Sequence, residues 1–164
     1  MKINQNNNWP SLPDSLKELA IFPNNPTYDQ VRSNYFRVGT PRLVIMAKTE
    51  TNVVETVKYA HEVNKQTNQK TPFSVRSGGH GITMSSVNDG GIILDISNLN
   101  KVKIIDANKG IVKIQAGAVW GDVAQQLSPY NLVISSGDFG EHWCRWINGL
   151  RRNWATCTTI WFNH

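Results

Sequence analysis

Short apolar runs of strand length alternate along the chain with stretches of helical period. Residues 42–47 (RLVIMA) form a compact apolar run that predicts a strand. Either Thr49 or Thr51 can cap the helix that follows, which we predict over residues 52–64. One side of this helix carries a mostly apolar stripe, made of Val53, Val54, Val57, Ala60, His61 and Asn64.

The remaining pattern predicts short strands separated by turns. A short helix over residues 14–20 comes first, among prolines. Further strands are predicted at residues 72–76, 92–96, 102–105, 111–115 and 132–134, with a third helix at 120–127. Glycine-bearing loops occupy residues 77–81 and 135–140. This order favours an α+β fold class, mixed strands with flanking helices, over a helical bundle or a simple sandwich.

The composition is that of a soluble globular chain. Hydrophobic residues make up 40% of the 164, a length that fits one domain, and no apolar run approaches the ~20 residues of a membrane span. The polar N-terminus lacks the apolar stretch of a secretory signal, which favours a cytoplasmic location. Cys144 and Cys157 have no companions at metal-ligand spacing, so we expect two reduced thiols and no metal site.

Positive charge and aromatic residues are concentrated in residues 141–164. This segment holds four of the six tryptophans, with Arg145, Arg151 and Arg152 against a single acid, while the whole chain carries +5. Basic segments with interleaved aromatics are typical of contact with single-stranded nucleic acid or an anionic membrane surface. A non-catalytic binding module with such a tail is therefore the alternative function. Without the tail, 14 basic and 11 acidic residues leave only +3.

The glycine loop, residues 77–81, is the candidate for chemistry. Three glycines in five positions directly after a predicted strand leave backbone N–H groups unshielded, and such a nest can accept a pyrophosphate. Arg76 could add positive charge. A plain turn and an ordinary hydrogen-bonding His80 are the competing interpretations. Neither a Walker A motif nor a GxGxxG pattern is present, so a P-loop nucleotidase and a classical dinucleotide fold are not supported.

Three sequence blocks resemble a known family. The runs PFSVRSGGHG (residues 72–81), GIILDIS (91–97) and AGAVWGDV (116–123) are similar, in this order, to the flavin-binding domain of berberine-bridge-enzyme-like oxidoreductases. These belong to the wider family with an FAD-binding domain of the p-cresol methylhydroxylase (PCMH) type. The resemblance covers about residues 42–140 and implies the N-terminal part of such a domain.

The resemblance implies FAD as the cofactor and assigns the residues that hold it. They are Arg76, Ser77, Gly78, Gly79, His80 and Gly81, with Gly137 and Asp138 beginning a second segment. His80 matches the position that many members attach covalently to the flavin. The family transfers hydride from a substrate C–H bond, in an alcohol or a sugar-like molecule, to FAD and often passes the electrons to oxygen. No nucleic acid or membrane partner is implied.

After Gly140 the chain departs from the family, which continues close to Gly-Val-Gly-Gly-Leu and then Gly-Gly-Gly-Ile-Gly. Tryptophan has the single codon TGG, and reading it one base later always gives a glycine codon. Four tryptophans therefore become glycine in the shifted frame: Trp143, Trp146, Trp154 and Trp161. Their neighbours permit Gly-Val-Gly-Gly-Leu at 143–147 and Gly-Gly-Ile-Gly at 151–154. The codon pattern predicts a frameshift near Gly140.

The frameshift fixes the expected organisation of the chain. We expect a lead-in at residues 1–41, a partial FAD-binding domain at 42–140 and an out-of-frame tail at 141–164. Such a fragment lacks the substrate domain, carries no assigned catalytic residue and is expected to be inactive alone. We expect only the full-length protein to bind a small-molecule substrate.

Overall fold

The computed structural model describes residues 9–81, 84–134 and 157–159. Its helices are α1 (Asp14–Lys17), α2 (Tyr28–Val31), α3 (Glu50–Thr67) and α4 (Trp120–Leu127). Its strands are β1 (Ala20–Ile21), β2 (Leu43–Met46), β3 (Phe73–Arg76), β4 (Ile92–Asp95), β5 (Val102–Asp106), β6 (Ile111–Ile114) and β7 (Cys157–Thr159). Single 3₁₀ turns cover 84–86 and 128–130. The predicted α+β fold class is confirmed.

The first sheet has the strand order β1-β2-β4-β3, and its three longer strands are parallel. Helix α3 connects β2 to β3. Strand β4 follows β3 in the chain but lies between β2 and β3 in the sheet. All four residues of β4 are buried, as expected for a central strand with both faces covered. The register pairs Arg76 with Asp95, so the carboxyl ends of β3 and β4 lie side by side.

Helix α3 begins with a capping box. The Thr49 hydroxyl accepts a hydrogen bond from the Asn52 backbone N–H at 3.2 Å, and the Asn52 side chain accepts one from the Thr49 N–H at 3.0 Å. Of the two candidate caps, Thr49 is therefore the one used. The helix ends where Asn68 adopts a left-handed φ of 50°.

The buried face of α3 differs from the predicted stripe. Thr56, Tyr59, Ala60 and Val63 are buried, whereas Val54 and Val57 are each 51% exposed. The Tyr59 ring and Val63 pack into a core cluster with the apolar residues Leu16, Leu19, Leu43, Ile45 and Ile92. Burying this large ring turns the two valines toward solvent. The predicted stripe is therefore confirmed at Ala60 and at Val53, which packs against a core cluster, and is wrong at Val54, Val57 and His61, which are exposed.

The second sheet is antiparallel, in the order β5-β6-β7. Helix α4, which was predicted over the same residues, packs Trp120, Val123 and Leu127 against β6. The predicted strand at 132–134 is wrong, because these residues have no strand pairing and Leu132 instead packs into the same core cluster. Strand β7, within the expected tail, was not predicted. In the described part of the chain, no helix is long and apolar enough to cross a membrane.

Candidate functional site

The glycine loop follows β3 at the carboxyl edge of the parallel strands. The backbone N–H of Ile96, one residue past β4, donates to the Arg76 carbonyl at 2.9 Å and keeps the two strand ends together. Ligands of open parallel sheets bind in crevices at this edge, because the strand-to-helix and strand-to-strand loops converge there. The fold thus places the predicted loop where a cofactor can be held.

Two consecutive glycines give the loop its concave backbone. Gly78 and Gly79 have φ values of 65° and 80°, a region that side-chain-bearing residues rarely adopt. Successive backbone N–H groups in turns that contain such residues can form an anion-binding concavity, called a nest. A Cβ at Gly81 would lie 3.2 Å from the Ser86 Oγ, so the end of the loop is closely packed as well.

Arg76 lies beneath this nest. Its guanidinium makes a buried ion pair with Asp95, whose side chain is fully buried. It also donates from Nε to the Ser33 carbonyl at 2.9 Å and from Nη2 to the Gln30 carbonyl at 3.1 Å. A Cβ on Gly79 would come within 2.7 Å of Nη2. Arg76 therefore supports the loop from below, and the Asp95 carboxylate compensates its positive charge. A contact between Arg76 and FAD stays a prediction.

Ser77 ties the loop to the second sheet. Its hydroxyl donates to the Ala116 carbonyl at 3.0 Å. The next residue, Gly117, donates from its backbone N–H to the Leu99 carbonyl at 2.8 Å, and a Cβ there would be only 2.0 Å from the Ile96 carbonyl. The three sequence blocks that carry the family resemblance therefore meet at one place, although they are far apart along the chain.

His80 is half-buried at the far end of the nest, and its imidazole packs edge-on with the Tyr35 ring. The ring centroids are 6.4 Å apart and the planes lie at 87°. Gly137 and Asp138, the predicted second segment, lie outside the described residues. Among the described residues, no cluster of histidine, cysteine or acidic side chains could hold a metal.

Four partners of Arg76 and the loop were missed from the sequence: Gln30, Ser33, Asp95 and Ala116. For Asp95 a signal existed, because an acid inside the apolar run Ile-Ile-Leu-Asp-Ile is rarely buried unless it is paired. Backbone carbonyls such as those of Ser33 and Ala116 leave no trace in residue type. Tyr35 also gave no signal, since its contact with His80 joins residues that are distant in sequence.

Comparisons with known proteins agree with this geometry. Residues 41–141 match the family described as FAD binding domain. The chain is 35% identical over 101 residues to the FAD-linked oxidoreductase hasG of Aspergillus fumigatus. This alignment covers 62% of this chain and 20% of that protein. Its fold is similar to that of Physcomitrella patens BBE-like 1, with a TM-score of 0.66 at 21% identity over 76% of this chain and 26% of that one.

A second solved structure with the same fold is the glucooligosaccharide oxidase of Acremonium strictum. Its TM-score is 0.61 at 19% identity, over 72% of this chain and 24% of that chain. The chain thus spans only 20% to 26% of the length of these proteins. The family match over most of the chain, together with the glycine nest at the sheet edge, leads to one conclusion: the chain belongs to the FAD binding domain family, and its cofactor is FAD.

Proposed function

We propose that this chain is the FAD-binding portion of an oxidoreductase that removes hydride from a substrate C–H bond of an alcohol or a sugar-like molecule. When bound, FAD supplies the hydride acceptor, and oxygen is the proposed final acceptor. The observation that carries the proposal is the nest of Gly78 and Gly79, both at positive φ, at the carboxyl edge of the parallel strands. The sugar-oxidising activity named for the glucooligosaccharide oxidase supports the substrate class.

The residues present fit the cofactor. A Cβ at Gly79 would lie 2.7 Å from the Arg76 Nη2 beneath the loop, so this floor has room only for glycine. The N–H groups of residues 78–81 would hold the pyrophosphate, which needs donors rather than a bulky side chain. Ser77 would fix the loop through Ala116, and Arg76 would hold its floor through Asp95. Gly137 and Asp138 are proposed to contribute a second segment.

We further propose His80 as the point of covalent flavin attachment. The glucooligosaccharide oxidase structure describes an 8α-N1-histidyl FAD, and His80 stands in the family loop that the resemblance assigns to this role. The bond forms between an imidazole nitrogen and the 8-methyl carbon; each gives up one hydrogen, and both hydrogens with two electrons pass to the isoalloxazine ring. An imidazole nitrogen is a suitable nucleophile for this step.

Binding is tested on the 164-residue chain with three probes. We expect FAD to bind and inorganic pyrophosphate to compete with it, while riboflavin, which has no phosphate, binds weakly. Gly79→Ala should abolish FAD binding, and Gly90→Ala, at a positive-φ glycine with open space around it, should not. Equal binding of FAD and riboflavin would contradict a role for the nest in pyrophosphate recognition.

Attachment is tested by denaturing precipitation after incubation with FAD. Yellow colour should stay in the pellet for the full-length, frame-corrected protein and wash out for its His80→Ala variant, while the variant still binds FAD reversibly. Colour retained in His80→Ala would place the attachment elsewhere. Loss of the colour from both the wild-type and the His80→Ala pellets would mean that FAD is bound without a covalent bond.

We propose that the chain is inactive alone and that residues 141–164 are out of frame. The four tryptophan codons that must become glycine support this, and catalytic residues would come from the rest of the protein. Purified chain supplied with FAD should turn over no alcohol or sugar. The coding DNA near Gly140 should contain a one-base insertion or deletion. An intact frame, with salt-dependent nucleic acid or vesicle binding that is lost on deleting 141–164, would instead support the alternative binding module.

A further inference from the structure

A short hairpin stands beside the glycine loop. Ser33 and Val38 form an antiparallel bridge, and the Asn34 N–H donates to the Arg37 carbonyl at 2.9 Å. The Asn34 side-chain oxygen accepts from the backbone N–H groups of Phe36 and Arg37 at 3.1 and 2.8 Å. The tip is therefore held by its own hydrogen bonds. This hairpin, residues 33–38, precedes residues 41–141, which match the FAD binding domain family.

The hairpin presents two aromatic rings that remain largely uncovered. Tyr35 is 73% exposed and Phe36 72% exposed, and their ring centroids are 5.1 Å apart. The Tyr35 ring also meets the His80 imidazole at 87°. An edge-to-face arrangement is a preferred geometry for aromatic pairs, because the positive ring edge meets the negative ring face. Rotation of the imidazole would lose this contact.

The hairpin is fastened to the glycine loop at both of the loop's ends. Before the loop, the Ser33 carbonyl accepts the Arg76 Nε hydrogen bond at 2.9 Å. After it, the Asn34 side-chain amide donates to the Ser86 Oγ at 3.1 Å, and Ser86 is itself buried. Hydrogen bonds on both sides of the loop thus join the hairpin to it, and they place Tyr35 beside His80.

We infer that the hairpin is the positioning element of the histidine, and that Tyr35 fixes the direction of the His80 imidazole. This inference rests on the proposed attachment of FAD at His80. Attachment requires one ring nitrogen to face the flavin methyl carbon, and a side chain that is free to rotate satisfies this only part of the time. Tyr35 is a positioning residue, and the FAD site includes residues that precede the family match.

The test compares Tyr35→Leu with Phe36→Leu in the 164-residue chain. The two residues are adjacent and almost equally exposed, so loss of an exposed ring is common to both variants. NMR of the chain without cofactor should show a nuclear Overhauser effect between the Tyr35 and His80 rings. The His80 imidazole resonances should move in Tyr35→Leu and stay in place in Phe36→Leu and Tyr35→Phe.

Flavin attachment, measured in the full-length, frame-corrected protein, supplies the second measurement. Tyr35→Leu should reduce the rate of covalent attachment about three- to tenfold, the factor that matches the contribution of one aromatic pair. Tyr35→Phe should restore the wild-type rate, and Phe36→Leu should keep it. Circular dichroism should show all three variants folded.

The outcomes separate this inference from the proposed function. Unchanged His80 resonances in Tyr35→Leu, or equal attachment rates in the two leucine variants, would overturn the positioning role. Moved resonances with no attachment in the full-length, frame-corrected wild-type protein would leave Tyr35 as the residue that orients His80 and remove the covalent bond from the proposed function. Attachment that falls only in Tyr35→Leu would support both.

Discussion

Arg76 and Asp95 form a buried ion pair directly beneath the glycine loop, at paired positions of two neighbouring parallel strands. The Asp95 carboxylate also accepts hydrogen bonds from the Ser97 N–H at 2.9 Å and the Ser97 hydroxyl at 2.6 Å. One carboxylate therefore holds the guanidinium under Gly79 and the turn that follows β4. Removing it would leave an uncompensated buried charge at the floor of the site.

Asp95→Asn should lower the free energy of unfolding by about 3 to 5 kcal/mol, the usual cost of removing one member of a buried ion pair. Urea denaturation followed by circular dichroism measures this difference. Asp106→Asn is the control, because Asp106 pairs with a Lys109 side chain that is 74% exposed. That substitution should change the stability by no more than about 0.5 kcal/mol. Equal losses in the two variants would show that the buried pair contributes no more than a surface pair.

Gly79→Ala should destabilise the chain more than Gly90→Ala. Both positions have positive φ, 80° and 71°, so each alanine has a conformational cost of about 1 to 2 kcal/mol. Only at Gly79 does the new Cβ also meet a guanidinium, 2.7 Å from the Arg76 Nη2, whereas nothing lies within 4 Å at Gly90. Thermal unfolding of both variants measures the difference. Identical midpoints would mean that Arg76 moves away without cost.

Asp89→Asn should reduce the loss of thermal stability that the chain shows when the pH is lowered. Hydrogen bonds from the Thr40 hydroxyl and backbone N–H, followed by the Arg37 side chain, hold the pKa of Asp89 below its usual 3.8. A depressed folded-state pKa stabilises the fold above the unfolded value, and this contribution is lost as the pH falls through the folded value. Melting temperatures at about pH 5 and about pH 3 should therefore differ less in the variant. An unchanged difference would mean that the Thr40 contacts do not persist in solution.

Features of this protein that depend on local pattern could be predicted from its amino-acid sequence. The apolar runs of β2 and β4 predicted buried strands, the spacing of Val123 and Leu127 predicted α4, and the glycine loop carried the family resemblance that FAD binding domain relatives confirm. These features follow from side-chain burial, helical period and glycine's freedom at positive φ, which residue type reveals directly.

Which distant groups meet depends on tertiary structure. Val54 and Val57 of α3 face solvent because Tyr59 and Val63 face the core, and Leu132 is buried in a core cluster without belonging to a strand, while Val133 is exposed. The partner of Arg76 and the contact between Tyr35 and His80 depend on strand register and on where the hairpin docks. Such contacts join residues far apart in the chain, and no local period records them.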